Sequence, residues 1–122
     1  MKFKIDTKEK MHVILVNEEH LSANMSEVLE NTCRSFLDKP IKNIILNLTK
    51  VKKIDKKLAD SFLNLQQSFA EAGVSMVICC IDKEVMNLLK ELEIDDMLNI
   101  TPTESEAWDI VQMEEIEREY LD

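Results

Sequence analysis

Asp55-Lys56-Lys57-Leu58, with Ser61 one helical turn on, is the stretch of this chain with the most chemical potential. A carboxylate, two ammonium groups and a hydroxyl at this spacing can cap a helix, attract an anionic group or meet an acidic surface. Lys50 to Lys57 holds five lysines and one aspartate, a local charge of +4, in a chain whose formal net charge is −9. Lys56 and Lys57 would open a helix, where a cation is unfavourable by a few tenths to ~1 kcal/mol. Asp55 could cap that helix by accepting from the N–H of Lys57 or Leu58. The lysines read equally as a solvated face, which is what charge runs usually are.

Nothing else in the chain assembles a reaction centre. His12 and His20 are the only histidines; His12 reads as a strand residue on the polar face, not as a metal ligand. Cys33, Cys79 and Cys80 are odd in number and lack metal-ligand spacing. Cys79 and Cys80 would point to opposite faces of a strand, and all three read as buried, reduced thiols of a cytoplasmic protein. Glu18-Glu19-His20 and Asp95-Asp96 are short acidic groups in loops, facing solvent. A Ser/His/Asp set, a Cys/His pair at readable spacing and a metal cluster are all missing. The single glycine leaves no loop to cradle phosphate. The expectation is a protein with no catalytic residue, metal or cofactor.

The elements that must position the basic stretch follow from length and pattern. At 122 residues the chain forms one domain, and 45% hydrophobic residues suffice for its core. The acidic balance argues against nucleic acid and anionic membrane as partners. No apolar run approaches the ~20 residues of a membrane span, and Met1 to Asp6 alternates too early for a secretory segment.

Lys2 to Thr7 alternates as a half-buried strand, with a polar turn before a second strand from Met11 to Val16. Residues 17–23 read as a connection. Asn24 with Glu27 three residues on predicts a capped helix whose apolar stripe is Met25, Val28, Leu29, Thr32, Cys33, Phe36 and Leu37. Ile41 to Leu48 is a strand covered on both faces. After the lysines, Leu58, Phe62, Leu65, Phe69 and Ala72 trace a second helix ended by Gly73 as a left-handed cap. Ser75 to Ile81 is a buried strand, and Asp82 caps a third helix carrying Val85, Leu88, Leu89 and Leu92. Met97 to Ile100 is a short strand. Thr103, with Glu106 at the reciprocal position, caps the last helix. Along that helix Ile110, Met113, Ile116 and Tyr120 make the fairest apolar stripe, and Trp108 is expected to pack on the sheet. The order β-β-α-β-α-β-α-β-α predicts an α/β fold, a mixed, mostly parallel sheet of about five strands with four helices.

Read in order, Ile44-Ile-Leu-Asn-Leu48, Val51-Lys-Lys-Ile-Asp55, Ala72-Gly73 and the block from Leu92 to Ala107 resemble a STAS domain, the fold of bacterial anti-sigma-factor antagonists. The resemblance covers nearly the whole chain, taken as a single domain over residues 1–122. Residues 113–122 are similar to the acidic C-terminal helical extension of one subgroup. The resemblance implies a cytoplasmic, non-enzymatic regulator of transcription by partner switching. In such proteins the loop after the central strand reads Asp-Ser-Ser/Thr-Gly. Its second hydroxyl is phosphorylated by a partner kinase that is also the anti-sigma factor. Phosphorylation adds nearly two negative charges at an interface that must separate.

Asp55 matches the aspartate of that pattern. Lys56 stands at the first hydroxyl position, Lys57 at the acceptor and Leu58 at the glycine. No phosphorylation is expected at the usual place, because lysine is neither an acceptor for such a kinase nor a phosphate mimic. Ser61 is a displaced candidate acceptor or a plain helical serine. Ser22 stands where many members carry an acidic residue. The expected partner-facing residues are therefore Ser22, Asn24, Asp55, Lys56, Lys57, Leu58 and Ser61. The partner implied is an anti-sigma factor or Ser/Thr-kinase-like protein, bound constitutively or exchanged for one with an acidic surface. The alternative is a STAS-type scaffold or accessory subunit of another signalling or transport complex. Glu114 to Asp122 carries a local charge of −4, so charge alone suggests a homodimer in which the basic loop meets the acidic tail.

Overall fold

β-branched and aliphatic runs supply the strands, and 3.6-residue apolar periods supply the helices that cover them. The computed structural model of the chain describes residues 1–121. The strands are β1 (Phe3–Thr7), β2 (His12–Val16), β3 (His20–Leu21), β4 (Ile44–Asn47), β5 (Lys53–Ile54), β6 (Met76–Cys79) and β7 (Ile100–Thr101). The helices are α1 (Ser26–Arg34), α2 (Lys56–Glu71), α3 (Lys83–Glu91) and α4 (Glu104–Leu121).

Five strands form one sheet in the order β1-β2-β4-β6-β7. β1 is antiparallel to β2, and the remaining pairs are parallel. Spatial order follows chain order without reversal, so right-handed crossovers carry α1, α2 and α3 to the same face. Ile14, Ile44, Leu46, Met76 and Ile78 point to that face and pack with Leu29, Phe62, Leu65 and Leu89. The alternate residues Val13, Ile45, Val77 and Cys79 point the other way, where α4 covers them through Ala107 and Val111. The expected five-stranded, four-helix α/β architecture is the one observed.

Several local expectations hold. Gly73 takes φ +69° and ends α2. The Asp82 carboxylate accepts from the Glu84 N–H at 3.0 Å. Thr103 Oγ1 accepts from the Glu106 N–H at 3.2 Å.

Others are corrected. Asn24 does not cap α1: a 3₁₀ turn over Ala23–Met25 intervenes, and the Asn24 side chain accepts from the Ser22 hydroxyl instead. His12 is not on a polar face. It is 5% exposed, against the Phe36 ring, and donates through Nε2 to the Ile41 carbonyl at 2.7 Å. Its Nδ1 accepts from Thr7 Oγ1 at 2.8 Å, so both ring nitrogens are satisfied by uncharged partners. Cys80 does not continue the strand. It turns to φ +60° and, with Cys79, packs against the α4-side cluster, so the two thiols do not face opposite ways. Burial pushes the Cys33 thiol up to about 12 and raises Cys79 as well, with Cys80 adding to the latter shift. Met97 sits in a 3₁₀ turn (Asp95–Met97), and only Ile100 of the expected strand is in β7.

The apolar stripe of α4 is not the side that meets the sheet. Met113, Ile116 and Tyr120 are exposed, while Ala107 and Val111 are buried. Further along, polar groups take over the contact. Arg118 donates to Ser75 Oγ at 3.1 Å and to Glu115 at 3.2 Å, and the Ser75 hydroxyl donates to Glu114 at 2.6 Å. Asn43 Nδ2 donates to Glu115 at 2.6 Å, and this bond is the leading cause of that carboxyl's lowered pKa. Residues 113–121 thus continue α4 along the sheet; Asp122 lies outside the described residues.

Candidate partner-binding surface

The basic stretch is held in place by a pairing that local pattern does not announce. β3 and β5 form a separate two-stranded parallel sheet, with His20 opposite Lys53 and Leu21 opposite Ile54. Its edges are tied further by backbone bonds. Lys52 N and Lys53 N donate to the Glu19 carbonyl at 2.7 and 3.1 Å, and Asp55 N donates to the Leu21 carbonyl at 2.9 Å. Leu21 and Ile54 are buried, so each strand anchors itself with one apolar side chain.

Asp55 is the N-cap residue of α2, but its carboxylate caps nothing in that helix. It reaches across to the connection before α1 instead. Oδ2 accepts from the Ala23 N–H at 2.8 Å, and Oδ1 accepts from His20 Nε2 at 2.8 Å. A carboxylate can only accept, so this bond fixes the imidazole proton on Nε2. These bonds, that from His20 first and that from Ala23 second, hold the Asp55 carboxyl below the usual carboxylate range. His20 is the member of this site that the sequence does not announce: nothing in Glu18-Glu19-His20 signals that one of its residues meets Asp55.

Asp55 therefore brings the Ser22–Asn24 connection alongside the first turn of α2. Ser22 is half-buried and Asn24 exposed. Lys56 and Lys57 are exposed at the first two positions of α2. With Lys50, Lys52 and Lys53, also exposed, they make a basic surface. Its described ion pair is Lys52 with Asp82 at 3.6 Å.

Two expected surface residues are not on the surface. Leu58 is fully buried in the α1–α3 core. Ser61 is 1% exposed and its hydroxyl donates to Glu30 at 2.8 Å, so it faces α1 and is closed to a partner. Both follow from the helical period: positions 58, 61, 62 and 65 share the inward side of α2, and 56, 57 and 60 share the outward side.

The sign of the Asp55 contribution to stability is fixed by its lowered pKa. The charged form is favoured in the fold, so the stabilisation is full above the unfolded value of about 3.9 and is lost as pH falls through the lower folded value. Asp55→Ala should destabilise the protein at neutral pH, and its difference from the parent should shrink below about pH 4. Denaturant midpoints of both proteins across that range check this. A difference that stays constant into strong acid would mean that the Asp55 charge plays no part.

The comparisons with known proteins come to the same fold. The family model described as STAS domain matches residues 2–107. No curated protein sequence matches. Among solved structures, a Thermotoga maritima protein assigned as an anti-sigma factor antagonist superposes with a TM-score of 0.81 at 22% identity, covering 90% of this chain and 94% of its own. The phosphorylated form of the Bacillus cell fate determinant SpoIIAA gives 0.66 at 14% identity, over 90% of this chain and 99% of that one. The murine Slc26a9 anion transporter gives 0.71 at 16% identity; 85% of this chain matches 18% of the transporter. At these identities the likeness is one of fold. Among the described residues, no helix is long and apolar enough to cross a membrane.

Proposed function

The chain belongs to the STAS domain family, and on that footing we propose that it is a non-enzymatic, cytoplasmic protein-binding regulator of the anti-sigma-factor-antagonist type. It binds an anti-sigma factor or Ser/Thr-kinase-like partner through the first turn of α2 and the connection before α1. It is not switched by phosphorylation at the usual position. The observation that carries this reading is the pair Lys56 and Lys57, exposed at the start of α2, with the nearest downstream hydroxyl, Ser61, buried on Glu30. Where a switching relative gains negative charge, this chain holds permanent positive charge, which suits a partner with an acidic contact face. Ser22, Asn24, Lys56 and Lys57 are the proposed contact residues. Asp55 and His20 position the two segments relative to each other.

Mixing the purified chain with a kinase-type anti-sigma factor from its own cell and ATP tests this. The expected result is a complex with no phosphate on the chain. Lys57→Ser, with Leu58 retained, is expected to become phosphorylated and to dissociate. Phosphate on any residue of the parent loop would sink the reading. The fold likeness to a segment of an anion transporter supports a second reading, a scaffold or accessory subunit of another signalling or transport complex. Recovery of membrane transport subunits in a pull-down, with no kinase-like protein, would favour it.

A further inference from the structure

α4 carries a second surface, remote from the lysines. Met113, Ile116 and Tyr120 are 49, 53 and 84% exposed and stand in one line. At 3.6 residues per turn they lie, with Asp109, opposite the side formed by Ala107, Val111 and Arg118, which faces the sheet. The line runs about 10 Å, two helical turns. Its middle residue, Ile116, also lines a groove of about 320 Å³ between α4 and the β1–β2 turn, where Met11 and Trp108 supply the other apolar walls and Lys8, Glu9 and Lys10 line the far side, Lys8 being paired with Asp6 at 2.8 Å. Apolar anchors at i, i+3 and i+7 beside a groove are the pattern by which two amphipathic helices pack.

The charged residues that α4 itself exposes along the line are acidic. Asp109, Glu117 and Glu119 are exposed along it, with Gln112 between them. The one cation of α4, Arg118, is turned under the helix onto Ser75 and Glu115. A second copy packing its own α4 on this one would bring these carboxylates together, in a protein of net charge −9. An apolar helix flanked by lysine or arginine would instead cover the line and place cations against Asp109, Glu117 and Glu119, which with Glu9 and Glu115 outnumber the groove's Lys8 and Lys10.

We propose that the outward face of α4 docks a basic amphipathic helix of a partner protein. The face lies away from the lysine surface in two respects. α4 is on the sheet face opposite α1–α3. It also runs from the C-terminal ends of the parallel strands, where Glu104 accepts from Asn47, to their N-terminal ends, where Glu115 accepts from Asn43. The basic stretch follows the C-terminal end of β4, whereas Met113, Ile116 and Tyr120 lie toward the opposite end. The two surfaces can be occupied together.

Trp108, the single tryptophan of the chain, borders the groove and reports on it. The full chain is titrated with a synthetic leucine–lysine amphipathic helix, a scrambled peptide of the same composition, and a leucine–glutamate helix. The expected result is a change in Trp108 emission with the first peptide alone. Ile116→Glu should weaken that binding at least about tenfold, although it adds negative charge. Lys56→Glu/Lys57→Glu should leave it within about twofold. Ile116 is half exposed, so the fold should survive its substitution, which circular dichroism and thermal melting verify. Equal binding of the scrambled peptide, or unchanged or tighter binding by Ile116→Glu, would reduce the effect to charge attraction and overturn the proposal. So would sedimentation of the protein alone as a dimer that Ile116→Glu dissolves, because the face would then belong to a second copy.

Discussion

Leu58→Gly is expected to destabilise the fold by about 3–6 kcal/mol, from a cavity left by a buried leucine and a glycine placed within a helix. Leu58 stands where the resembling family carries the glycine that follows its phosphorylated residue. Here the side chain is fully buried and joins the core between α1, α2 and the sheet. Domains of this size are stable by about 5–15 kcal/mol, so this one change removes a large share of the total. Urea denaturation should show a lower midpoint with an unchanged slope. A loss under about 1 kcal/mol would mean that the neighbouring core closes over the gap. The consequence for function is direct. Rebuilding the family's whole loop motif in this chain would damage the core, so a switch is best restored at Lys57 alone. In this chain Leu58 serves the interior and not the loop.

The second large effect has opposite signs for stability and for binding. Lys56→Glu/Lys57→Glu replaces two exposed cations by anions in the first turn of α2, where negative charge is favoured by about 0.3–1 kcal/mol per site. The variant should be slightly more stable than the parent. Its association with a kinase-like or otherwise acidic partner should fall at least tenfold, since close charge pairs across interfaces carry about 1.5 kcal/mol or more. The residual binding should lose most of its dependence on salt. Thermal melting and calorimetric titration at two ionic strengths measure the two halves. Unchanged affinity would remove the lysines from the interface; lower stability would show that they contribute to the fold after all.

What was legible in the sequence were the features written in runs. Ile44-Ile45-Leu46 and Met76-Val77-Ile78-Cys79 lie in central strands because only a strand covered on both faces tolerates such continuity. The α2 stripe from Leu58 to Phe69, the Gly73 stop and the Asp82 and Thr103 caps are likewise local, and each is where its pattern puts it; Ala72, the last residue of the stripe, is exposed past the end of α2. Long-range pairing was not legible. His20–Leu21 and Lys53–Ile54 are two residues each, too short for any periodicity, and they meet only because the chain returns from β4. By local pattern the Asp55 carboxylate could cap its own helix, but its bonds go to three-dimensional neighbours instead. On α4 the apolar stripe does not tell which side meets the sheet; Arg118, Glu114 and Glu115 find partners at Ser75 and Asn43. A polar network among distant residues leaves no period to read.

The position of α4 has a consequence for how the protein is made. Because strand order follows chain order, the face bearing Met11, Val13, Ile45 and Val77 receives no helix from any crossover and is covered by the last element. On the ribosome, a nascent chain that has completed β7 can already assemble the sheet and its first helical layer. Its other face remains bare and apolar until Ala107 and Val111 emerge. That interval is when this chain is most open to aggregation and to capture by chaperones, and a ribosome stalled just before α4 would hold it there.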